Sequence, residues 1–387
     1  MVSLHFCTSE SWGGLELYAA TLMIELQGTG CQVIAVCKSG SKIESYLHAR
    51  GVKCEHLPSY RKISVSSLRH ISLMLERLSV DVVHVHYHSD IWMASIALRN
   101  DSWRKLFVSI YMGVIKKNDV LHRWIYRRVD VFFTSSSELF RRLPDLYPVN
   151  AERIHLLPYG RKLDAYTAND LERTAVRSHL GMEKNHVLVG TMVRIDPGKG
   201  VIDFARSFLY LPEALRSNVT YVIIGEPTRK GSATEADSPY EPHCVAYMDE
   251  IKRFVADHSL QDRILFLDYQ DDAISYLRAM DVFVFPSRDE LFSLVVLDAM
   301  AMRLPVVAAA AGGNVLQIED GRTGTLYAVG ESQDIATKVR DYIIDPVKRR
   351  DHGEAARLYV ERNHDMKATI RRLLEFYQPD QHTHTSP

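Results

Sequence analysis

The chain has 387 residues, 46% apolar and 25% charged, with 47 Lys+Arg against 48 Asp+Glu. That length favours two domains over one, and the composition is that of an ordinary globular protein. No uncharged apolar run is long enough for a membrane-spanning helix.

The start, MVSLHFCTSE, reads as a first strand and lacks the basic opening and long apolar stretch of an export signal. Five cysteines (Cys7, Cys31, Cys37, Cys54 and Cys244) show no metal-ligand spacing and read as reduced, mostly buried thiols. A cytoplasmic location is the expectation. Residues 1–165 carry 21 basic and 15 acidic residues, a balance of +6. The remainder carries 47−21=26 basic and 48−15=33 acidic, or −7. An asymmetry of this kind can mark a surface that meets an anionic partner.

Apolar β-branched runs then alternate with helical periods. In the first half the strands fall near 3–7, 32–37, 81–85, 106–110, 131–134 and 154–157. The loop SWGGLE follows the first of them. Gly13 and Gly14 there let backbone amides approach a ligand, and the helix beginning near Leu15 adds an N-terminal dipole that favours phosphate. A tight βα turn is the plain alternative. DVVHVHYH places His84 and His86 on one face of a strand and His88 at its end. With no accompanying carboxylate or Cys at ligand spacing, no metal site is expected; His84 reads as a packed sheet residue and His86 as lying near the ligand cleft. Segment 115–130, IKKNDVLHRWIYRRVD, is basic with interleaved aromatics. It suits peripheral contact with an anionic membrane at the inner face of the plasma membrane, the alternative being a solvated helix with Trp124 and Ile125 packed inward. No recognised nucleic-acid module accompanies it, so nucleic acid is not an expected partner.

The pattern repeats after a join near 158–182, with strands near 187–193, 220–224, 264–267, 282–285, 305–308 and 324–327. Strands alternating with helices imply parallel sheets covered on both faces, here twice over. RIDPGKG, 194–200, puts Arg194 and Lys199 at the mouth of the second sheet, where a guanidinium and an ammonium suit the two phosphates of a nucleotide diphosphate. DVFVFPSRDELFSLVVLD, 281–298, reads as a strand, a Pro-Ser turn, and a helix opened by Glu290 that carries Asp298 two turns on. Two carboxylates at a strand end suit a polyhydroxylated, phosphorylated ligand. The plain alternative is an amphipathic helix with acids at its start.

The ordered combination of Gly13–Gly14, Arg194, Lys199, Glu290 and Asp298 resembles the retaining glycosyltransferases of family 4 (glycosyl transferases group 1), and the resemblance runs over nearly the whole chain. It implies the GT-B fold: α/β, two doubly wound Rossmann-like domains facing across a cleft. The expected limits are 1–165 for an acceptor-binding domain, 166–360 for a nucleotide-sugar-binding domain, 361–378 for a helix packing back on the first domain, and 379–387 for a disordered tail. By resemblance Arg194 and Lys199 hold the donor diphosphate, Glu290 the donor sugar and Asp298 the ribose, the last with the family's usual Glu shortened to Asp. Arg194, Lys199 and Glu290 would carry catalysis. Gly13, Gly14, Tyr111, Phe292, Ser293 and Leu294 would complete the donor site, the amides of Phe292 and Ser293 reaching phosphate. Tyr111 stands where the family commonly has a His. Glu16 and His86 are the acceptor-side candidates. Gly312–Gly313 resembles a second glycine loop, but Leu316 replaces the acid usually found three residues later.

The resemblance implies transfer of a hexose-type sugar from a UDP or GDP sugar to a hydroxyl of a glycan or lipid-linked glycan, with no metal and no other cofactor. The setting would be bacterial lipopolysaccharide, capsule or exopolysaccharide assembly. Rival readings are another GT-B enzyme, an epimerase or phosphorylase, and a non-catalytic nucleotide-sugar-binding protein.

Overall fold

The computed structural model describes residues 1–111, 113, 115–182, 185–230 and 239–378. The tail expected at 379–387 lies outside the described residues. The chain divides into two compact units, one built from 1–160 and 366–378, the other from 161–230 and 239–365.

The first unit contains β1 (Val2–Phe6), β2 (Gln32–Val36), β3 (Lys53–Glu55), β4 (Val82–Val85), β5 (Lys105–Ile110), β6 (Val131–Thr134) and β7 (Ile154–Leu156). They form one parallel sheet in the order β3-β2-β1-β4-β5-β6-β7. The second contains β8 (Val187–Met192), β9 (Val219–Ile224), β10 (Ile264–Leu267), β11 (Val282–Phe285), β12 (Val306–Ala309) and β13 (Gly324–Tyr327). These too are parallel, in the order β10-β9-β8-β11-β12-β13. The central strands are buried along their length because helices cover both faces; every residue of β4, β8, β9, β11 and β12 is buried.

Both sheets run outward from one strand and then return to its other side. The order therefore reverses between β1 and β4 in one unit and between β8 and β11 in the other. In open α/β sheets the ligand crevice lies at that reversal, outside the C-terminal strand ends.

The helix Met366–Tyr377 belongs to the first unit. Its buried residues Met366, Thr369, Ile370, Leu373 and Tyr377 recur at helical spacing, and it packs on the helix Gly14–Gln27. Gly160 is required where it passes: a Cβ there would come within 2.6 Å of Met366 Cα. The unit boundaries fall at 160/161 and 365/366 rather than at the expected 165/166 and 360/361. The reason is local. Arg161 donates its amide to His364 O at 2.7 Å and its side chain to Asp298, so the second unit begins earlier, at 161, and ends later, at 365, than composition suggests.

Candidate active site

The crevice of the second unit is built from three loops. After β8, Asp196 caps a short turn, Pro197–Lys199, by accepting from the Gly198 amide at 2.9 Å. Gly200 follows with φ +62, and a Cβ on it would come within 2.3 Å of Pro286 O. The Arg288 amide donates to Gly198 O at 3.0 Å, and the Arg288 guanidinium holds Asp203 Oδ2 at 2.6 Å. The loops after β8 and β11 are thus fastened together by backbone contact that only glycine at 200 permits.

That contact sets Lys199 against Glu290. Lys199 Nζ lies 2.7 Å from Glu290 Oε2 and 3.5 Å from Ser287 Oγ. Both charged side chains are partly exposed, 19% and 26%, so the pair faces a solvent-accessible space. The third loop, after β12, supports Glu290 from behind. Gly312 has φ +51 and Gly313 donates its amide to Glu290 O at 2.6 Å. Cβ atoms on the two glycines would come within 2.2 Å of Glu290 O and 1.9 Å of Leu291 O. This pair of glycines therefore works by letting one backbone press on another.

Three expectations are corrected here. Glu290 does not open a helix. The helix is Leu294–Ala301, and Ser293 is its N-cap, accepting from the Val296 amide. A Ser with its side-chain oxygen free to cap is a better helix start than Glu, and 286–292 remains a loop. Second, the Ser293 amide is not available to phosphate, because it donates to Gln317 Oε1 at 2.8 Å while Gln317 Nε2 returns a bond to Ser293 O. The amides of Leu294 and Val295 have no hydrogen-bond partner among the described residues and are the open donors of that first turn. Phe292 instead places its ring 5.7 Å from that of His364.

Third, Asp298, the residue expected at a ribose, is engaged within the protein. Arg161 Nε lies 2.7 Å from its Oδ1, Arg161 Nη2 lies 3.2 Å from Oδ2, and the Tyr166 hydroxyl donates to Oδ1. Burial pushes its carboxyl up from the usual range, and Arg161 and Tyr166 pull it back. The carboxylate ties 161–166, the entry to the second unit, onto the helix. Arg194 shows the opposite condition. It is exposed and without a partner among the described residues, between Val193 and Ile195, whose amides bond Ile224 O and Glu226 O.

The first unit places its expected residues differently. The Gly13 amide donates to Glu16 Oε2 at 3.0 Å and Ser9 Oγ donates to Oε1 at 2.6 Å, so buried Glu16 pins its own loop rather than offering a carboxylate to an acceptor. Gly14, exposed, opens the helix. Tyr111 is not a free hydroxyl: it bonds His86 Nδ1 at 2.7 Å, stacks on the His86 ring, and burial raises its pKa far above the ordinary value. His86, expected near the cleft, is buried and bonds His5 Nδ1 through Nε2 at 2.9 Å. His5 Nε2 bonds Ser3 Oγ at 3.0 Å, and His84 is bonded by Tyr377 and, at 2.8 Å, by Ser109. Every ring nitrogen of the three is occupied. Burial drives their pKa values down, that of His5 to about 3, so they form a neutral network spanning β1, β4, β5 and the terminal helix.

Sequence reasoning missed His5 and Asp90. Asp90 is buried at the start of the helix Asp90–Ala97 and accepts from the Thr8 amide at 2.9 Å and from the Thr8 hydroxyl, joining β1 to β4 at their reversal. Burial lifts its pKa to about 7. An acid a few residues past a strand end was the available signal. Along 115–130, Ile115, Val120 and Leu121 are exposed; Ile125 is buried, and Trp124 lies on the surface with Arg99 4.2 Å over its ring. No helix among the described residues is long and apolar enough to cross a membrane.

Residues 172–359 match the family described as Glycosyl transferases group 1, and residues 12–165 match Glycosyltransferase Family 4. A D-inositol 3-phosphate glycosyltransferase of Geodermatophilus obscurus is 28% identical over 282 residues, covering 67% of this chain and 58% of the relative. The lipopolysaccharide core biosynthesis mannosyltransferase LpcC of Rhizobium leguminosarum is 29% identical over 251 residues, 64% of each. The chain spans about three fifths of the length of these curated relatives. Among solved structures, Anabaena Alr3699/HepE in complex with UDP and glucose superposes with a TM-score of 0.76 at 20% identity, covering 97% of this chain and 98% of that one. A glycosyltransferase from Rickettsia africae gives 0.82 at 17%, covering 97% of both. At such identities the likeness is one of fold, two Rossmann-like domains of the GT-B kind.

Proposed function

This chain belongs to the glycosyltransferases, its two halves matching family 4 and group 1, and on that premise we propose that it moves a hexose-type sugar from a nucleoside diphosphate sugar to a hydroxyl of a glycan or lipid-linked glycan, with retention at the anomeric carbon. The observation that carries this reading is the Lys199–Glu290 ion pair at the reversal between β8 and β11. A UDP-type or GDP-type donor would exchange partners with it. The diphosphate takes Lys199 and recruits exposed Arg194; Glu290 turns to the sugar hydroxyls. The open amides of Leu294 and Val295 offer further donors to a phosphate oxygen. UDP in the Anabaena structure and the mannosyl transfer named for the Rhizobium relative support the donor class.

In the transfer the bond from the anomeric carbon to the β-phosphate oxygen breaks. The acceptor oxygen bonds to the same face, and its proton passes to the departing phosphate. Negative charge grows on the diphosphate as the bond lengthens, so fixed cations there stabilise the transition state more than the bound substrate. Lys199 and Arg194 supply that charge without a metal ion. The test is acceptor-dependent release of free nucleotide. Lys199→Ala and Arg194→Ala should each lower turnover by at least ~10²-fold, the scale of losing one charge-stabilising group. Unchanged turnover in both variants sinks the mechanism.

A further inference from the structure

Beside the loop that follows β8, three residues of different chemistry converge. Asp196 follows β8, whereas His243 and Cys244 sit in the first turn of the helix Pro242–Asp257. Cys244 Sγ lies 3.5 Å from Asp196 Oδ2 and 3.3 Å from His243 Nε2, and His243 Nε2 lies 3.9 Å from the same oxygen. A tetrahedral ion with metal–sulfur bonds of about 2.3 Å and metal–nitrogen or metal–oxygen bonds of about 2.0 Å separates its ligand atoms by roughly 3.3–3.6 Å. The three atoms already stand close to that spacing. We propose that Asp196, His243 and Cys244 bind one borderline-soft divalent cation of the Zn2+ class, with water in the fourth position.

The donor set itself selects the metal. One thiol, one imidazole and one carboxylate suit zinc and its neighbours, while magnesium and calcium take oxygen ligands. The surroundings are those a ligand set needs. Asp196 Oδ1, the oxygen turned away from the sulfur, accepts from the Gly198 amide at 2.9 Å, which orients the carboxylate. Cys244 is buried; His243 is exposed and gives an ion a way in. On binding, the Cys244 thiol releases its proton to solvent as the metal–sulfur bond forms. The ion takes no part in sugar transfer. Because Asp196 also caps the turn that ends in Lys199, it would fasten that turn to the helix Pro242–Asp257.

The experiment is titration of the purified full chain with Co2+, read as absorption. The expected result is a thiolate-to-cobalt charge-transfer band with tetrahedral visible bands, saturating at one equivalent and displaced by Zn2+. Cys244→Ser should abolish the charge-transfer band. His243→Ala, at an exposed position that leaves the fold intact, should weaken Co2+ binding by at least ~10-fold, as should Asp196→Asn. Cobalt binding without a charge-transfer band, or a band of full intensity in Cys244→Ser, would overturn the site. So would unaltered affinity in His243→Ala. None of these readouts depends on transferase activity, so the site and the proposed reaction can fail separately.

Discussion

At the scale of single residues, the arrangement depends on which carboxylates are already spoken for. Glu290 has one cationic partner and a face to solvent, whereas Asp298 has Arg161 and Tyr166 on both its oxygens. The two acids read alike in sequence, eight positions apart after one strand. Nothing local distinguishes them, because the partner of Asp298 lies 137 residues away. Arg194, Lys199 and Glu290 were legible because each follows a strand end within a few residues. Asp298→Ala separates a ribose ligand from a clasp. Removing it takes both Asp298 contacts from a mostly buried Arg161, so unfolding free energy should fall by about 3 kcal/mol. Nucleotide affinity of the folded protein should change little. A variant of normal stability that binds nucleotide at least ~10-fold more weakly would establish the ribose role.

At the scale of elements, twelve of the thirteen strands among the described residues follow from apolar runs, and the one that escaped is β3, Lys-Cys-Glu, a three-residue edge strand without a pattern. The start of the helix Leu294–Ala301 escaped for a different reason: its cap is completed by the Gln317 side chain, from the short helix Asn314–Gln317. Strands β1 and β4 carry a consequence in pH. His5, His84 and His86 are held neutral among Ser3, Ser109, Tyr111 and Tyr377, with pKa values depressed by burial. When unfolded they titrate near 6.5. Below that pH the unfolded chain binds protons that the folded one refuses, so stability is present above about pH 6.5 and is lost as pH falls. Each imidazole contributes a slope of up to about 1.4 kcal/mol per pH unit. Asp90 acts in the opposite sense, its raised pKa of about 7 costing stability as pH rises toward neutrality. Urea unfolding between pH 5 and 6.5 should therefore show stability rising with pH in wild type. In His84→Gln the slope should be shallower by about one proton, about 1.4 kcal/mol per unit. An equal slope in the variant would mean that His84 is not kept neutral.

At the scale of the whole molecule, the two halves repeat one solution. Each is a parallel sheet whose strand order reverses once, and each fastens its reversal with a side chain or backbone contact: Thr8 to Asp90 in the first unit, the loop of Gly200 to Pro286 in the second. The doubling was legible in the alternation of strands and helices. The division of roles was not, since Glu16, Tyr111 and His86 look as suited to ligand contact in sequence as Lys199 and Glu290 do. The structure closes the first three into internal hydrogen bonds. The reading thus concentrates on a diphosphate held by Lys199, and calorimetric titration of UDP, GDP and their parent nucleosides into wild type and Lys199→Ala measures it. The account predicts that one of the diphosphates binds wild type and loses at least ~10-fold in affinity in the variant, with nucleoside binding unaffected, since a charged hydrogen bond is worth about 1.5–3 kcal/mol. Equal diphosphate affinity in the two proteins, or no binding to either, would contradict it.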